Sequence, residues 1–258
     1  MGQYLTAPDI FIYGGLDLTA WFEDFKSEFI LNFIEGNRWM QLVDGLKVTL
    51  IITFFAVIIG ICIGVVLAII RSTYDKNIDD MSGLNKVLLI VLNAIAKVYL
   101  GVIRGTPVVV QLMIMYYIIF VSSTNGQLIA ILSFGINSGA YVAEIFRSGI
   151  MSIDKGQFEA GRSLGFNYVQ TMAYIISPQA FKNVLPALAN EFIVLLKETS
   201  VAGYVAITDL TRAGDIIRGR TYSAFMPLIA VALIYLCIVM ILTWLVGKLE
   251  RRLRSSEH

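Results

Sequence analysis

The chain has 258 residues, one histidine, two cysteines and charge on only 15% of its positions. The histidine is the last residue, His258. A histidine-based triad or a His-rich metal site therefore has nothing to build on. This sets aside most hydrolase and zinc-enzyme chemistries, and no catalytic or metal-ligating residue is assigned. Cys62 and Cys237 each lie inside an apolar run, where a free thiol behaves as a small hydrophobe, and no disulfide framework follows. No GxxxxGK[ST] stretch or other glycine-rich phosphate loop occurs, so the chain is not expected to hydrolyse ATP itself. The N-terminus is acidic and has no basic region ahead of a short apolar core, so no cleavable secretory signal is expected. A nucleic-acid partner is not expected either.

What the chain does have is hydrophobicity: 57% of residues are apolar and the mean hydropathy is +0.74. Several windows approach or exceed eighteen apolar residues, the length of a spanning helix. The pattern predicts an all-α membrane protein with five transmembrane helices. The spans fall at 44–70, 107–121, about 127–149, about 184–203 and about 224–247. Residues 71–83 read as a polar loop. Residues 84–104 carry Lys86, Lys97 and Arg104, and three cations are expensive in lipid, so this stretch reads as an interfacial elbow running into the second span. Arg104-Gly105-Thr106-Pro107 breaks it, and Pro107 opens the next helix. In the first span Gly60 and Gly64, extended by Ala56 and Ala68, form a small face suited to close helix approach.

Residues 1–40 form an amphipathic segment on the outer membrane face, with Trp21, Phe22, Phe25, Phe29 and Phe33 near helical spacing. A transmembrane body is expected over 41–250 and a basic cytoplasmic tail over 251–258. Cations concentrate in 71–104, 147–182 and the tail, roughly two to one over the opposite side. The positive-inside rule puts those segments in the cytoplasm, the C-terminus with them, and the N-terminus outside.

Residues 150–183 are too structured for a simple turn and read as a docking surface for a soluble partner. Asp154 can cap a short helix that Gly165 ends, Asn167 a second, and Ser177-Pro178 can start a third. Polar residues inside the spans suggest a pathway. Glu191 and Asn190 on the fourth span, Ser133 and Asn137 on the third, and Tyr117 on the second are candidate substrate contacts, since a buried carboxylate suits an ammonium or guanidinium group. Glu144 has two readings: a gating or structural bridge to Arg147 or Arg104, or part of the path. Lys197 can pair with Glu198 or support a gate.

Glu159-Ala160-Gly161, Gly165, Ile175-Ile176-Ser177-Pro178-Gln179-Ala180 and Leu185-Pro186 resemble the cytoplasmic EAA loop of ATP-binding-cassette importer permeases, with Gly161 where that family usually has Ala. Gly45-Leu46-Lys47-Val48-Thr49-Leu50, Arg104-Gly105-Thr106-Pro107 with Gln111, YVAEIFRSG at 141–149 and NEFIVLLKETS at 190–200 resemble further signatures of the polar amino acid branch (histidine, glutamine and arginine permeases). These matches run in order across about 40–250. The resemblance implies a type I importer permease fold in a bacterial cytoplasmic (inner) membrane, with transport of polar, above all basic, amino acids. It implies a dimer of ATPase subunits holding ATP and Mg, a second permease chain, identical or paralogous, and an external amino-acid-binding protein. No cofactor is expected on this chain. Glu159, Ala160, Gly161, Arg162 and Gly165, in a coupling helix over 155–165, would dock the ATPase. The alternatives are an ion-coupled secondary transporter, for which one half should repeat in the other, and a scaffold subunit with no transport path.

Overall fold

The computed structural model describes residues 18–79 and 81–254; the rest of the N-terminal segment and positions 255–258 of the tail lie outside the described residues. The described residues are helical, with no strand among them. In order they are α1 (Leu18–Phe29), α2 (Trp39–Asn77), α3 (Gly83–Gly105), α4 (Val108–Ile114, extended by a π-helical turn Met115–Ile119), α5 (Gly126–Met151), α6 (Lys155–Ser163), α7 (Tyr168–Thr171), α8 (Ser177–Glu198), α9 (Leu210–Thr221) and α10 (Phe225–Arg254). Short π and 3-10 segments, Ile30–Ile34 and Glu35–Asn37, join α1 to α2.

The body is organised on a parallel pair, α2 and α5. Gly60 faces Ser138, Gly64 faces Val142, and Gly135 and Gly139 face Ile59 and Ile63. A Cβ on Gly64 would sit 2.5 Å from Val142 Cγ1, and one on Gly139 2.9 Å from Ile63 Cβ. Water supplies no hydrophobic drive between helices in lipid, so contact area through small residues does the work. The small face of the first span is thus consumed within the chain. Onto this pair α8 packs antiparallel, Val184 and Leu188 joining Val142, while α9 closes the N-terminal end. There Gly45 fits under Asp209, and Leu42, Leu210, Ala213 and Ile217 share one cluster.

Several boundaries differ from the sequence-based expectation. Helix α2 runs on to Asn77, so most of the expected 71–83 loop is helix. Its added turns are anchored by Arg71 and Asp75, which reach α5. The KLERRLR stretch is the end of α10 rather than a separate tail. Residues 84–104 lie in a continuous 23-residue helix, by length and composition apolar enough to cross a bilayer, as are α2, α5 and α10. Its cations find aromatic faces: Lys97 Nζ lies 5.5 Å from the Tyr74 ring centroid and Arg104 5.9 Å from that of Tyr141, contacts that offset part of the cost of charge in lipid. Conversely, Val108–Ile119 covers only about 18 Å at about 1.5 Å per residue, short of the ~30 Å hydrocarbon core. The break between α3 and α4 stands as expected, with Thr106 and Pro107 extended at ψ 145° and 137°.

Helix α8 starts at Ser177 with Pro178 in its first turn, as expected, but no side chain caps it. Tyr168–Thr171, the π turn Met172–Ile176 and α8 are consecutive helical segments, and the Ser177 N–H reaches back to the Met172 carbonyl. A wider turn just ahead of Pro178 spares the clash that a proline ring makes with an α-helical carbonyl. The polar segment is therefore two rods, a short α6 and a long one that begins at Tyr168 and ends at Glu198.

The seam between α2 and α5 has a direct test. A Cβ added to Gly101 on α3 would meet nothing within 4 Å, whereas one on Gly64 would be crowded by Val142 and the Ala143 backbone. Gly64→Ala is expected to destabilise the purified protein by about 1–3 kcal/mol through overpacking, while Gly101→Ala gains up to about 1 kcal/mol of helix propensity. Melting midpoints in one detergent should move in opposite directions; a rise with Gly64→Ala would count against the close-packed seam.

Candidate functional site

At the helix-loop end of the molecule the caps are as the sequence indicates. The Asp154 carboxylate accepts from the Gly156 N–H at 2.6 Å and starts α6. Asn167 accepts from Gln170 N at 2.9 Å while Gln170 Oε1 accepts from Asn167 N at 3.0 Å, a reciprocal capping box. Gly165 has φ +81°. The Phe166 N–H donates to Gly161 O and the Gly165 N–H to Arg162 O, which is the Schellman arrangement that closes a helix through a left-handed glycine.

Glu159, Ala160, Arg162 and Gly165 are exposed on this element, with Leu164, Val169 and Tyr174 each 71% exposed nearby. Apolar side chains held in the open by a rigid, capped element form a surface that another protein can cover. Gly161 behaves differently. It is buried, and a Cβ there would lie 2.6 Å from Thr171 Cγ2 and 2.7 Å from its Oγ1. Its small size seats α6 on the helix that follows; it does not face outward.

Within the helical body, Glu191 is half-buried where α8 crosses α5, and it accepts from the Ser138 hydroxyl at 2.8 Å. Among the described residues no basic nitrogen lies within 4.0 Å of it. Asn137, the residue before Ser138, turns to α4 and donates to Gln111 Oε1 at 3.0 Å. The Gln111 amide in turn donates to Ile103 O at 2.7 Å and to Thr106 Oγ1 at 2.8 Å. One side chain thus ties α5 and α4 to the end of α3, where carbonyls would otherwise go unpaired. Ser133 is buried and its hydroxyl has no partner among the described residues.

The remaining candidates lie apart from these. Asn190 points away from Glu191 into a groove of about 320 Å³ between α8 and the end of α10, lined by Lys182, Asn183, Pro186, Ala187, Glu250 and Leu253. Tyr117 is exposed, its hydroxyl 3.4 Å from Tyr204 O. Lys197 is exposed beside Glu198. The structure therefore brings Glu191 against α5 one residue along from Asn137, and leaves Asn190, Tyr117 and Lys197 elsewhere.

Glu144 and Arg147 pair at 2.6 Å, one turn apart on α5. Arg71 and Asp75 of α2 extend the pair, each contact at 4.0 Å, and Arg104 stands near through Tyr141. Of the two partners considered for Glu144, Arg147 is the direct one. Sequence reasoning missed Ser138, Arg71, Asp75 and Thr171. Arg71 and Asp75 are spaced i, i+4, and that signal is available once α2 is allowed to run past residue 70.

Comparison with known proteins follows the same lines. Residues 87–255 match the family model of the binding-protein-dependent transport system inner membrane component. The chain is 37% identical over 220 residues to the arginine transport system permease protein ArtQ of Bacillus subtilis, covering 84% of this chain and 94% of that one. It is 35% identical over 217 residues to the glutamine transport system permease protein GlnP of Escherichia coli K12, covering 83% and 93%. Among solved structures, it superposes with TM-score 0.74 and 39% identity on a chain of an amino acid ABC transporter crystallised with histidines, covering 85% of this chain and 98% of that one. A MetNI methionine ABC transporter in an inward-facing conformation shares the fold at TM-score 0.70 and 19% identity, covering 83% and 97%.

The fit of Gly161 against Thr171 yields a prediction whose sign is informative. On helix propensity alone, Gly161→Ala would gain about 1 kcal/mol. Here it should cost about 1–3 kcal/mol through overpacking, and adding Thr171→Ala should restore most of the loss. Protease sensitivity of the 150–183 segment reads this; a single Gly161→Ala variant as resistant as the parent would refute the packing role.

Proposed function

The chain belongs to the family of binding-protein-dependent transport inner membrane components and is the permease of an amino acid ABC importer, and from that premise we propose that its cargo is a polar amino acid with a cationic side chain. The observation that carries this is Glu191. Its carboxylate is half-buried between two helices and is held by a hydroxyl and not by a cation. A carboxylate so placed is an acceptor for an ammonium or guanidinium group, which provides charge-assisted hydrogen bonds. The names of the relatives, one for arginine and one for glutamine, agree with a polar substrate class.

In this reading Glu191, with Asn137 and Ser133 on α5 and Asn190 and Tyr117 nearer the mouths, contributes to a path completed by a second permease chain. The chain crosses the membrane five times: α2, then α3 and α4 together, α5, α8 and α10. The concentration of Arg and Lys at the α6 end supports a cytoplasmic placement of that end and of the C-terminus, with α1 on the outer face. Two ATPase subunits, carrying ATP and Mg, dock on α6 and the apolar side chains beside it, and an external binding protein delivers the cargo. Hydrolysis belongs to the ATPase; this chain transmits it through the rod that starts at Tyr168 and contains Glu191. The Glu144–Arg147–Arg71–Asp75 cluster holds α2 to α5 and acts as a structural or gating lock, and Lys197 lies outside it.

Two measurements test this. In the complex purified with its co-expressed ATPase, stimulation of ATP hydrolysis across the amino acids should be strongest for a basic one, whereas uptake driven by an ion gradient without ATPase would favour a secondary carrier. Glu191→Gln should weaken apparent affinity for that basic amino acid by roughly 10- to 100-fold, the equivalent of one charge-assisted bond of about 1.5–3 kcal/mol. A neutral amino acid should be much less affected; equal losses for both would remove the charge argument.

A further inference from the structure

A recess of about 250 Å³ lies between the end of α2 and the α6–α7 hairpin, away from Glu191 and from the groove at Asn190. It is lined by Lys76 and Asn77 of α2, Lys155, Phe158, Glu159 and Arg162 of α6, and Tyr168 and Thr171 of α7. Three of these are cations and one is an anion. Among the described residues none of the three cations pairs with a carboxylate within 4.0 Å. Lys76 lies against the face of Phe158, 3.1 Å from the ring centroid, and Lys155 is close enough to repel it. Lys155 is also the first residue of α6, where the positive end of the helix dipole disfavours a cation. An uncompensated cluster of this kind is unfavourable by itself and becomes favourable when an anion sits in it.

Thr171 forms part of the wall with its side chain turned under Gly161: it is 2% exposed, and a Cβ on Gly161 would lie 2.7 Å from its hydroxyl oxygen. Tyr168 is tied to Thr73 of α2, so the wall is held in place from both sides. Ligand-sized room is present: the volume equals about eight waters at about 30 Å³ each.

We propose that this recess is an anion site for a phosphate group, held by Lys76, Lys155 and Arg162, and that the bound anion fastens the coupling helix α6 to the end of α2. The phosphate can come from free phosphate in the cytoplasm or from the headgroup of an anionic lipid. Helix α2 has 39 residues, about 58 Å at about 1.5 Å per residue against ~30 Å of hydrocarbon, so its last turns lie at headgroup depth or beyond, within reach of both.

The test uses the assembled transporter in phosphatidylcholine nanodiscs, without nucleotide. Binding of radiolabelled orthophosphate is compared between the parent, the Lys76→Gln/Lys155→Gln double variant and Thr171→Val. Phosphate bound to the ATPase subunits is common to all three and cancels. In the free-phosphate case, the double variant loses the permease-linked binding by at least about tenfold, as expected for lost charge-assisted bonds. Thr171→Val, which changes the wall without removing a charge, keeps the parent's binding while raising the melting midpoint, because an unpaired buried hydroxyl is gone. In the headgroup case, complexes from discs doped with phosphatidylglycerol retain that lipid in native mass spectra, the double variant sheds it, and the doping blocks orthophosphate. Either pattern supports the site and identifies its source. Equal phosphate binding and equal lipid retention in the parent and the double variant would overturn it.

Discussion

Everything in this molecule hangs on how closely α2 and α5 approach. Two helices in lipid gain no hydrophobic free energy by meeting, so their affinity depends on contact area and on polar groups that need partners. Here two glycines on each helix meet a β-branched or hydroxyl side chain on the other, four contacts within about two turns. The parallel register that results puts Arg71 and Asp75 beside Glu144 and Arg147. It also turns the adjacent face of α5 to α8, so that Ser138 meets Glu191. Moving the seam by one residue would separate both sets.

Polar groups inside the body divide into those that are fastened and those that are available. Gln111 is fully used in joining the broken α3–α4 passage to α5. Glu144 and Arg147 satisfy each other. Glu191 differs, because among the described residues it has a hydroxyl donor and no cation, which leaves its charge to be answered from outside. The proposed function assigns the cargo contact to this group, which is held in position by Ser138 and pairs with no cation among the described residues. The rod that carries Glu191 continues through the π turn to the capped hairpin, so motion at α6 has a covalent helical route to it.

Much of this is legible from residue types. The Asp154 and Asn167 caps and the Gly165 stop follow from local hydrogen-bond chemistry, and each is present as expected. Pro107 marks a real break: a proline disfavours the helical region for the residue before it, and Thr106 is extended. Ser177-Pro178 marks the start of α8 but not a cap, because a π turn leads straight into it. The cations of 84–104 stand unaccompanied in the sequence, and only the folded chain shows aromatic neighbours distant in sequence against two of them. Gly161 reads as a partner-facing position; it faces Thr171, ten positions away on the next helix.

By itself the sequence determined the class, the order of helices, the polar hairpin and the side on which its cations gather, because these depend on hydropathy, turn chemistry and charge counted along the chain. The tertiary structure decided which small face meets which helix, which of the polar residues share a surface, and which side of each glycine is open. Those are properties of distances between segments far apart in sequence, set by packing that no single segment encodes. Ser138 beside Glu191, and Thr171 in the space a Gly161 side chain would need, exist only once the helices have closed on one another.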